Sequence, residues 1–439
     1  MYNQLIKNTC IGTLFYLLFH MCALSGDIPP SLQGLPYGIY PTSPTYNTER
    51  LNYNKRFVVF PQAIFAPTTN NEVVYVLTQL QQYNLPFAVR SGGHCFEPGS
   101  LSPDYVIDVS NFNSIIPNIG TGEVYIGAGC LIVDVINALG LIDYAIPSGE
   151  CPTVGITGLT LGGGIGLLTR PYGLTCDSVK SITLVNAACQ VIEVNASSYP
   201  DLFWALLGGG NGSYGIVLGF TFQMQYIPTV TYYELLWEYD VDLIAPLMET
   251  WQSWVSTLPD TISSILGIRH PGTLAAFPIT SPPLTIRISG LKLGSEPFTE
   301  WQSAFLGFNP TVTLFTGSYL DSSAYWVRES TMPFNKAKSR ILMKPVTSKT
   351  TKQITQFFKK LDAANPDYMV YFEFDALGGK TPDNQTSFFP RNAFGWWYQA
   401  YFWDFEEETP QILALCRNFF AHIPNEVSTY CYANVVVVA

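Results

Sequence analysis

The sequence predicts an α+β fold organised as two domains, and three observations point to it. Residues 56–90 have the hydrophobic pattern of a strand, a helix and a second strand. Residues 147–180 are dense in glycine and turn residues, and beyond about residue 228 longer strand and helix patterns follow without such clusters. The 439 residues and 47% hydrophobic content suffice for two or three domains with large cores.

The individual elements follow from hydrophobic spacing. Residues 57–65 form an apolar, strand-like run, and Pro67, Thr68 and Thr69 make a turn and a helix cap. Apolar residues at helical spacing then predict a helix that ends near Tyr83. Further strands are predicted at residues 86–90, 105–108, 124–127, 182–186, 191–194, 216–223, 285–291, 369–374 and 396–403, and further helices at 131–139, 202–207, 244–257 and 351–363.

The charge of the chain limits its partners. The formal net charge is −11 and the sequence pI is near 4.8. An acidic surface repels phosphate backbones, so a nucleic-acid partner is not expected. The sequence contains 26 Tyr, 28 Phe and 9 Trp, which suit stacking on sugars or ring-shaped ligands as well as core packing.

The first residues have the pattern of an export signal. Lys7 precedes an apolar run at residues 10–24, and small residues at the cleavage positions place the mature start near Gly26 or Asp27. We therefore expect residues 1–26 to be a signal peptide and the mature chain to be secreted, without a membrane span. A retained signal anchor is the alternative. Sequons at Asn195 and Asn384 are compatible with export.

The cysteine count indicates one thiol with a special role. Of nine cysteines, Cys10 and Cys22 leave with the leader, so that seven remain and one of them must be unpaired or chemically used. No pair has C-x-x-C spacing and few histidines remain, so no metal site is predicted.

Two glycine clusters are candidates for holding a dinucleotide. They lie at residues 162–166 and 208–212, about one supersecondary unit apart. Glycines let backbone N–H groups approach a pyrophosphate without a basic side chain, which suits an acidic protein. Ordinary turn or bulge glycines are the alternative.

Two side chains are candidate nucleophiles. His94 follows Gly92 and Gly93 on a loop after a predicted strand, and Cys151 lies in a second glycine-rich loop. A structural histidine and half of a disulfide are the alternatives. The residues alone predict a candidate dinucleotide site and two candidate nucleophiles. They do not identify the reaction.

Several segments in order resemble the berberine bridge enzyme-like family of the vanillyl-alcohol oxidase superfamily, whose flavin domain is of the PCMH type. Residues 90–94 resemble its first flavin-attachment motif, and residues 149–155 resemble its second. Residues 158–166, 172–177, 200–206 and 208–217 continue the resemblance, which is close over residues 56–225 and looser beyond.

The resemblance implies covalently bound FAD. His94 would bond to the 8α carbon of the flavin and Cys151 to its C6 position, which would also explain the odd cysteine. Tyr172 matches a tyrosine near the flavin, and Leu159 stands where family members often carry histidine. The implied FAD-binding residues are Arg90, Ser91, Gly92, Gly93, His94, Gly149, Cys151, Thr153, Val154, Gly155, Gly158, Gly162, Gly163, Gly164, Gly166, Asn211, Gly212, Gly215, Ile216 and Val217.

The resemblance also implies a substrate half, with an antiparallel sheet covered by helices. Residues 373–380 and 390–403 resemble segments beside the family's active site, and Tyr398, Gln399 and Tyr401, together with Tyr172, are the expected catalytic residues. Edge-strand polarity and aromatic packing are the alternative for the acidic and tyrosine side chains.

The C-terminal motif departs from the family. The family has Tyr-x-Asn-Tyr followed by a segment that caps the flavin ring, whereas Val435 stands at the second tyrosine here and the sequence given ends at Ala439. We therefore expect a flavin domain at residues 56–226, a substrate domain at 227–410 and a short return to the flavin domain at 411–439.

The expected function is a secreted FAD-linked oxidoreductase. It would oxidise an alcohol group of a small molecule, most simply a carbohydrate, by hydride transfer to flavin N5, with oxygen or another acceptor taking the electrons. The alternative is a flavin-binding or decayed secreted protein that acts as a binding module.

Overall fold

The computed structural model describes residues 27–210, 212–270, 285–327, 333–364, 367–383, 386–423 and 430–435. The expected leader at residues 1–26, Asn211 and Asn384 lie outside these residues.

The described chain contains both strands and helices, in an order that does not alternate regularly. The strands are β1 (Gly38–Ile39), β2 (Ala63–Phe65), β3 (Phe87–Arg90), β4 (Tyr105–Asp108), β5 (Ile115–Asn118), β6 (Glu123–Gly127), β7 (Tyr144–Ala145), β8 (Val179–Val185), β9 (Val191–Asn195), β10 (Ile216–Gln223), β11 (Gln225–Tyr226), β12 (Val230–Glu238), β13 (Ile265–Arg269), β14 (Thr285–Leu293), β15 (Thr311–Gly317), β16 (Phe334–Leu342), β17 (Met369–Ala376) and β18 (Gly395–Trp403). The α-helices are α1 (Tyr46–Glu49), α2 (Asn70–Gln82), α3 (Ile132–Gly140), α4 (Ile156–Leu161), α5 (Thr169–Tyr172), α6 (Pro200–Leu206), α7 (Ile244–Val255), α8 (Gln302–Phe305), α9 (Tyr319–Trp326), α10 (Ser348–Ala364) and α11 (Thr409–His422).

The N-terminal half contains two main sheets. The first has the order β1-β2-β4-β3, in which β2, β4 and β3 run parallel. Helix α2 connects β2 to β3 and begins with a capping box, in which the Thr69 and Glu72 side chains satisfy each other's backbone N–H groups. The second sheet is antiparallel, with the order β5-β6-β10-β8-β9.

The C-terminal half is built on one antiparallel sheet of seven strands, with the order β15-β12-β14-β13-β17-β18-β16. Its two faces differ because side chains alternate along a strand. One face packs with the apolar residues of α7, α10 and α11, and the other face turns toward the N-terminal half. The expected α+β class, with an antiparallel sheet covered by helices, is confirmed.

The two halves are joined by a buried arginine. Arg170 of α5 donates hydrogen bonds to the carbonyl oxygens of Ile262 at 2.8 Å, Leu377 at 2.7 Å and Leu258 at 3.0 Å. Its own carbonyl accepts from the Lys380 backbone N–H at 2.8 Å. The guanidinium therefore satisfies carbonyls from separate segments of the C-terminal half.

Two differences from the predicted elements have clear causes. The strand expected at residues 57–65 is short, because only Ala63–Phe65 pairs with neighbouring strands, whereas Val58 and Phe60 are exposed. Strand β16 was not predicted, because the charged residues Lys336, Lys338 and Arg340 interrupt the apolar pattern expected of a buried strand. The segment is nevertheless buried along nearly its whole length.

Candidate active site

A cavity of about 600 Å³ lies between the glycine-rich loops of the N-terminal half and the open face of the seven-stranded sheet. Many of the expected site residues line it. They are Ser91, Gly92, Gly93, His94, Gly149, Cys151, Val154, Gly155, Gly158, Gly212, Gly215, Val217 and Tyr398.

His94 and Cys151 meet at this cavity although 57 residues separate them. The Cys151 Sγ lies 3.4 Å from His94 Nε2 and 3.6 Å from the Thr153 hydroxyl oxygen. Burial lowers the pKa of His94 to about 4, so the imidazole is neutral near pH 7. All seven cysteines of the described residues, Cys151 among them, are free thiols. The geometry thus brings an uncharged imidazole and a free thiol to one wall of the cavity.

The loops beside these nucleophiles form a backbone-lined concavity. Gly92 and Gly155 approach so closely that a Cβ on Gly92 would lie 2.5 Å from the Gly155 nitrogen. In contrast, Gly158 and Gly212 have open space where a Cβ would stand, and both line the cavity. Such a wall suits a pyrophosphate held by backbone N–H groups.

The four expected glycines at residues 162–166 pack against other segments of the protein. Gly162 lies against Asn434, Gly163 against Phe388, Gly164 against Thr175 and Gly166 against the Ser148 carbonyl; none of the four lines the cavity. A side chain at these positions would collide with its neighbour. Close packing, including packing of the C-terminal segment, therefore accounts for this cluster.

Three further expected FAD-binding residues, Arg90, Thr153 and Ile216, do not line the cavity. Arg90 is buried in an ion pair with Asp108, at 2.5 Å between Nε and Oδ2. Ile216 is buried in the core, and Thr153 reaches the site through Cys151. The expected Asn211 lies outside the described residues.

Strand alternation separates the expected catalytic residues of β18. Tyr398 points into the cavity with Trp396 and Phe402, whereas Tyr401 belongs to the core beneath the helices. Gln399 lies two positions before Tyr401 on the strand, so both side chains are on the helix-covered face. Tyr172, at the end of α5, is partly buried in the core of the N-terminal half and does not line the cavity. The structure therefore brings only Tyr398 of the expected four into the cavity.

A row of polar residues crosses the open face of the sheet beside Tyr398. Strand register places Arg287, Gly267, Glu373 and Tyr398 next to one another on four adjacent strands. The Tyr371 hydroxyl donates a short hydrogen bond to the Glu373 carboxylate. Burial raises the pKa of both Tyr371 and Tyr398 well above its usual range, so both phenols stay protonated. Glu373 is the carboxylate at the centre of this row.

The C-terminal segment also reaches the cavity. Residues 432–435 line it, the Tyr432 hydroxyl accepts a hydrogen bond from the Gly164 N–H at 3.1 Å, and the Asn434 amide donates to the Leu159 carbonyl at 3.1 Å. Val435 offers its carbonyl to the Ser339 hydroxyl at 3.0 Å. These residues therefore connect the glycine loops to strand β16.

Sequence reasoning missed several residues of the cavity wall. Tyr53 and Phe96 flank His94, and Arg287 and Tyr371 neighbour Glu373. Alternation along β17 could have found Tyr371 two positions before Glu373. Tyr53 carried no such signal, because its contact with His94 depends on the tertiary fold.

Comparison with known proteins shows what the chain is similar to. Residues 61–195 match the FAD binding domain family. An uncharacterized FAD-linked oxidoreductase of Bacillus subtilis (strain 168) is 36% identical over 226 residues, which cover 50% of this chain and 50% of that protein. Berberine bridge enzyme-like 8 of Arabidopsis thaliana is 25% identical over 443 residues, which cover 93% of this chain and 82% of that protein.

Solved structures agree in fold. The Physcomitrella patens BBE-like 1 structure has a TM-score of 0.80 with 24% identity, over 91% of this chain and 88% of that one. BBE-like #28 from Arabidopsis thaliana has a TM-score of 0.79 with 20% identity, over 91% of this chain and 87% of that one. The predicted resemblance to the berberine bridge enzyme-like family is thereby confirmed. The chain spans about half the length of the Bacillus relative that it matches.

The cavity fits the cofactor that the resemblance implies. Gly158 and Gly212 leave open space along the cavity wall beside the closely packed Gly92 and Gly155, which suits the dinucleotide part of FAD. Among the residues that the structure describes, no helix is both long and apolar enough to cross a bilayer.

Proposed function

We propose that this berberine bridge enzyme-like protein oxidises an alcohol group of a carbohydrate, with FAD bound covalently through His94 and Cys151. One observation carries the proposal: the neutral imidazole and the free thiol lie 3.4 Å apart on one wall of a glycine-lined cavity. Bound FAD would accept a hydride from the substrate carbon. Oxygen is the proposed final acceptor.

The open face of the sheet would bind the substrate and take its proton. Among the described residues at the centre of the row, Glu373 is the carboxylate, and it already accepts a hydrogen bond from Tyr371. We therefore propose Glu373 as the general base for the substrate hydroxyl. The protonated Tyr398 hydroxyl beside it would hold the substrate in place by a hydrogen bond.

The aromatic wall supports a carbohydrate as the substrate. Trp396, Tyr398 and Phe402 present ring surfaces to the cavity, and such surfaces stack on sugar rings. Two structural neighbours are named as enzymes that act on carbohydrates. They are a chitooligosaccharide oxidase with 18% identity and a glucose dehydrogenase with 23% identity. At these identities the likeness shows the fold alone, so the substrate remains part of the proposal.

Secretion is also part of the proposal. It depends on the apolar run and the cleavage positions in residues 1–26, which lie outside the described residues.

The test is a visible spectrum of the purified protein before and after acid precipitation. With covalent attachment at two points, yellow colour stays in the wild-type pellet. The colour is retained more weakly in His94→Ala and in Cys151→Ala, and it is lost from the pellet of the double variant.

Addition of oligosaccharides should then bleach the flavin spectrum in the absence of oxygen. A colourless protein, even when expressed with ample flavin, contradicts the proposal. A yellow protein that no sugar or alcohol bleaches would instead favour a flavin-binding module without turnover.

A further inference from the structure

Tyr53 stacks directly on His94. The two ring centroids are 3.7 Å apart and the ring planes differ by 20°. Tyr53 comes from the chain before β2, well outside the segments that resemble flavin-attachment motifs, and its side chain is buried. One face of the imidazole is therefore covered by an aromatic ring from a distant part of the sequence.

The surrounding contacts hold Tyr53 in this position. The Tyr53 backbone N–H donates to the Gly93 carbonyl at 2.9 Å. The next residue, Asn54, donates from its amide to the Phe96 carbonyl at 2.8 Å and to the Asn335 carbonyl at 3.0 Å. The Asn335 N–H donates back to the Asn54 side-chain oxygen at 3.2 Å. The backbone on both sides of the tyrosine ring is thus fixed to the His94 loop and to β16.

His94 itself lies on a loop and directly follows a glycine. Gly93 precedes it with φ of +62°, in the region that glycine adopts most easily. The edge of the imidazole faces Cys151, and Phe96 packs edge-on with ring centroids 6.3 Å apart. Tyr53 supplies the face-to-face contact, which sets the plane of the imidazole.

We propose that Tyr53 is a positioning residue for the bond between His94 and the flavin. This inference rests on the proposed function, because it assumes covalent attachment at His94. A bond-forming nitrogen must approach the 8α carbon within a narrow range of directions. The stacked ring restricts rotation of the imidazole to that range. It does not orient Cys151 for its own bond to the flavin.

The attachment step balances with oxygen as the oxidant. A nitrogen–carbon bond forms between His94 and the 8α carbon, while one C–H bond of the flavin methyl group and the imidazole N–H bond break. The two protons leave to water. The two electrons reduce the flavin, and molecular oxygen reoxidises it, giving hydrogen peroxide.

The experiment measures Tyr53 variants in two backgrounds. In Cys151→Ala only His94 can hold the flavin, and in His94→Ala only Cys151 can. Tyr53→Leu and the conservative Tyr53→Phe are made in each background and expressed with ample flavin. The readout is the fraction of flavin retained in the acid pellet, with circular dichroism on the same samples to check the fold.

In the Cys151→Ala background, Tyr53→Leu should lower the retained fraction at least about 10-fold, because misplacement of a reacting atom slows bond formation steeply. Tyr53→Phe should restore most of it, since the ring and not the hydroxyl is required. In the His94→Ala background both variants should retain as much flavin as their parent, which also shows that the site folds.

Three outcomes would overturn the inference. Tyr53→Leu with Cys151→Ala could keep its flavin, Tyr53→Leu could lose flavin equally in both backgrounds, or Tyr53→Phe could fail to restore it. The second outcome means that Tyr53 only supports the general structure. Absence of retained flavin in wild type would be a failure of the proposed function instead, and the two failures are thereby distinguished.

Discussion

At the scale of single residues, burial decides the protonation state of His94. A histidine in water is partly protonated near neutral pH, and a protonated imidazole has no free lone pair for bond formation. The cavity wall removes water from His94 and lowers its pKa to about 4. The imidazole lone pair is therefore free for bond formation. In the flavin-free protein, the same burial destabilises the folded state at acidic pH.

This destabilisation gives a prediction for the flavin-free protein. The folded-state pKa of about 4 lies below the ordinary value of 6.5, so the unfolded chain binds the extra proton more readily. The free energy of unfolding should therefore fall as the pH decreases from about 6.5 to about 4, with no contribution from His94 above that window. Urea unfolding across this range should show a smaller decrease for His94→Gln than for wild type.

His422→Gln serves as the control, because His422 is exposed on α11. This control should keep the wild-type dependence on pH. Identical pH dependence in His94→Gln and wild type would show that burial of His94 does not contribute.

At the scale of secondary structure, alternation along β17 and β18 sorts the site from its surroundings. Residues 371, 373 and 375 of β17 line the cavity, while the intervening phenylalanines pack beneath the helices. The same period separates Tyr398 from Gln399 on β18. A one-residue shift in either strand would exchange the side chains of the cavity face with those of the helix-covered face.

We expect opposite outcomes from substitutions at Glu373, on the cavity face, and at Gln399, on the helix-covered face. Glu373→Gln should keep the flavin but lower the rate of flavin reduction by sugar about 10²-fold or more, because it removes the proposed base without changing its size. Gln399→Leu should leave that rate unchanged. It should also raise the free energy of unfolding by about 1 kcal/mol, because both amide atoms of Gln399 are buried and have no hydrogen-bond partner among the described residues.

Stopped-flow measurement of flavin bleaching gives the rates, and urea unfolding gives the stability. Slow flavin reduction in Gln399→Leu together with fast flavin reduction in Glu373→Gln would contradict the proposal, because it would place the reaction on the helix-covered face of the sheet.

The sequence predicted local elements well and distant contacts poorly. Helix α2 was predictable because its apolar spacing and its Thr69 cap lie within a few residues of one another. His94 and Cys151 were candidate nucleophiles because of their glycine-rich loops, but only the family resemblance predicted that both act on one flavin. The contact of Tyr53 with His94 and the contact of Gly162 with Asn434 could not be predicted, since packing between distant segments creates them.

At the scale of the whole molecule, the two halves depend on each other through Arg170. Its guanidinium is buried, and burial lowers its pKa from the usual range. Three carbonyl oxygens of the C-terminal half receive hydrogen bonds from it at 2.7–3.0 Å. Separation of the halves would leave these groups without partners.

Arg170→Met should therefore lower the free energy of unfolding by about 3 kcal/mol, since buried carbonyls that lose their partners are costly. Arg417→Met, on an exposed position of α11, is the matched control and should change it by less than about 0.5 kcal/mol. Urea unfolding followed by circular dichroism and by tryptophan fluorescence measures both. Equal stability of the two variants would mean that Arg170 does not join the halves.

The hydrogen bonds between Asn54 and Asn335 also impose an order in time. They join residues that are 281 positions apart, so the ribosome completes β16 long after it has released Asn54. Until that strand exists, the segment that carries Tyr53 lacks half of its anchors. If Tyr53 directs the attachment of flavin to His94, this bond is made only on chains whose synthesis has passed β16. The bond at His94 would then report that β16 has folded against this segment, and shorter chains would lack that bond.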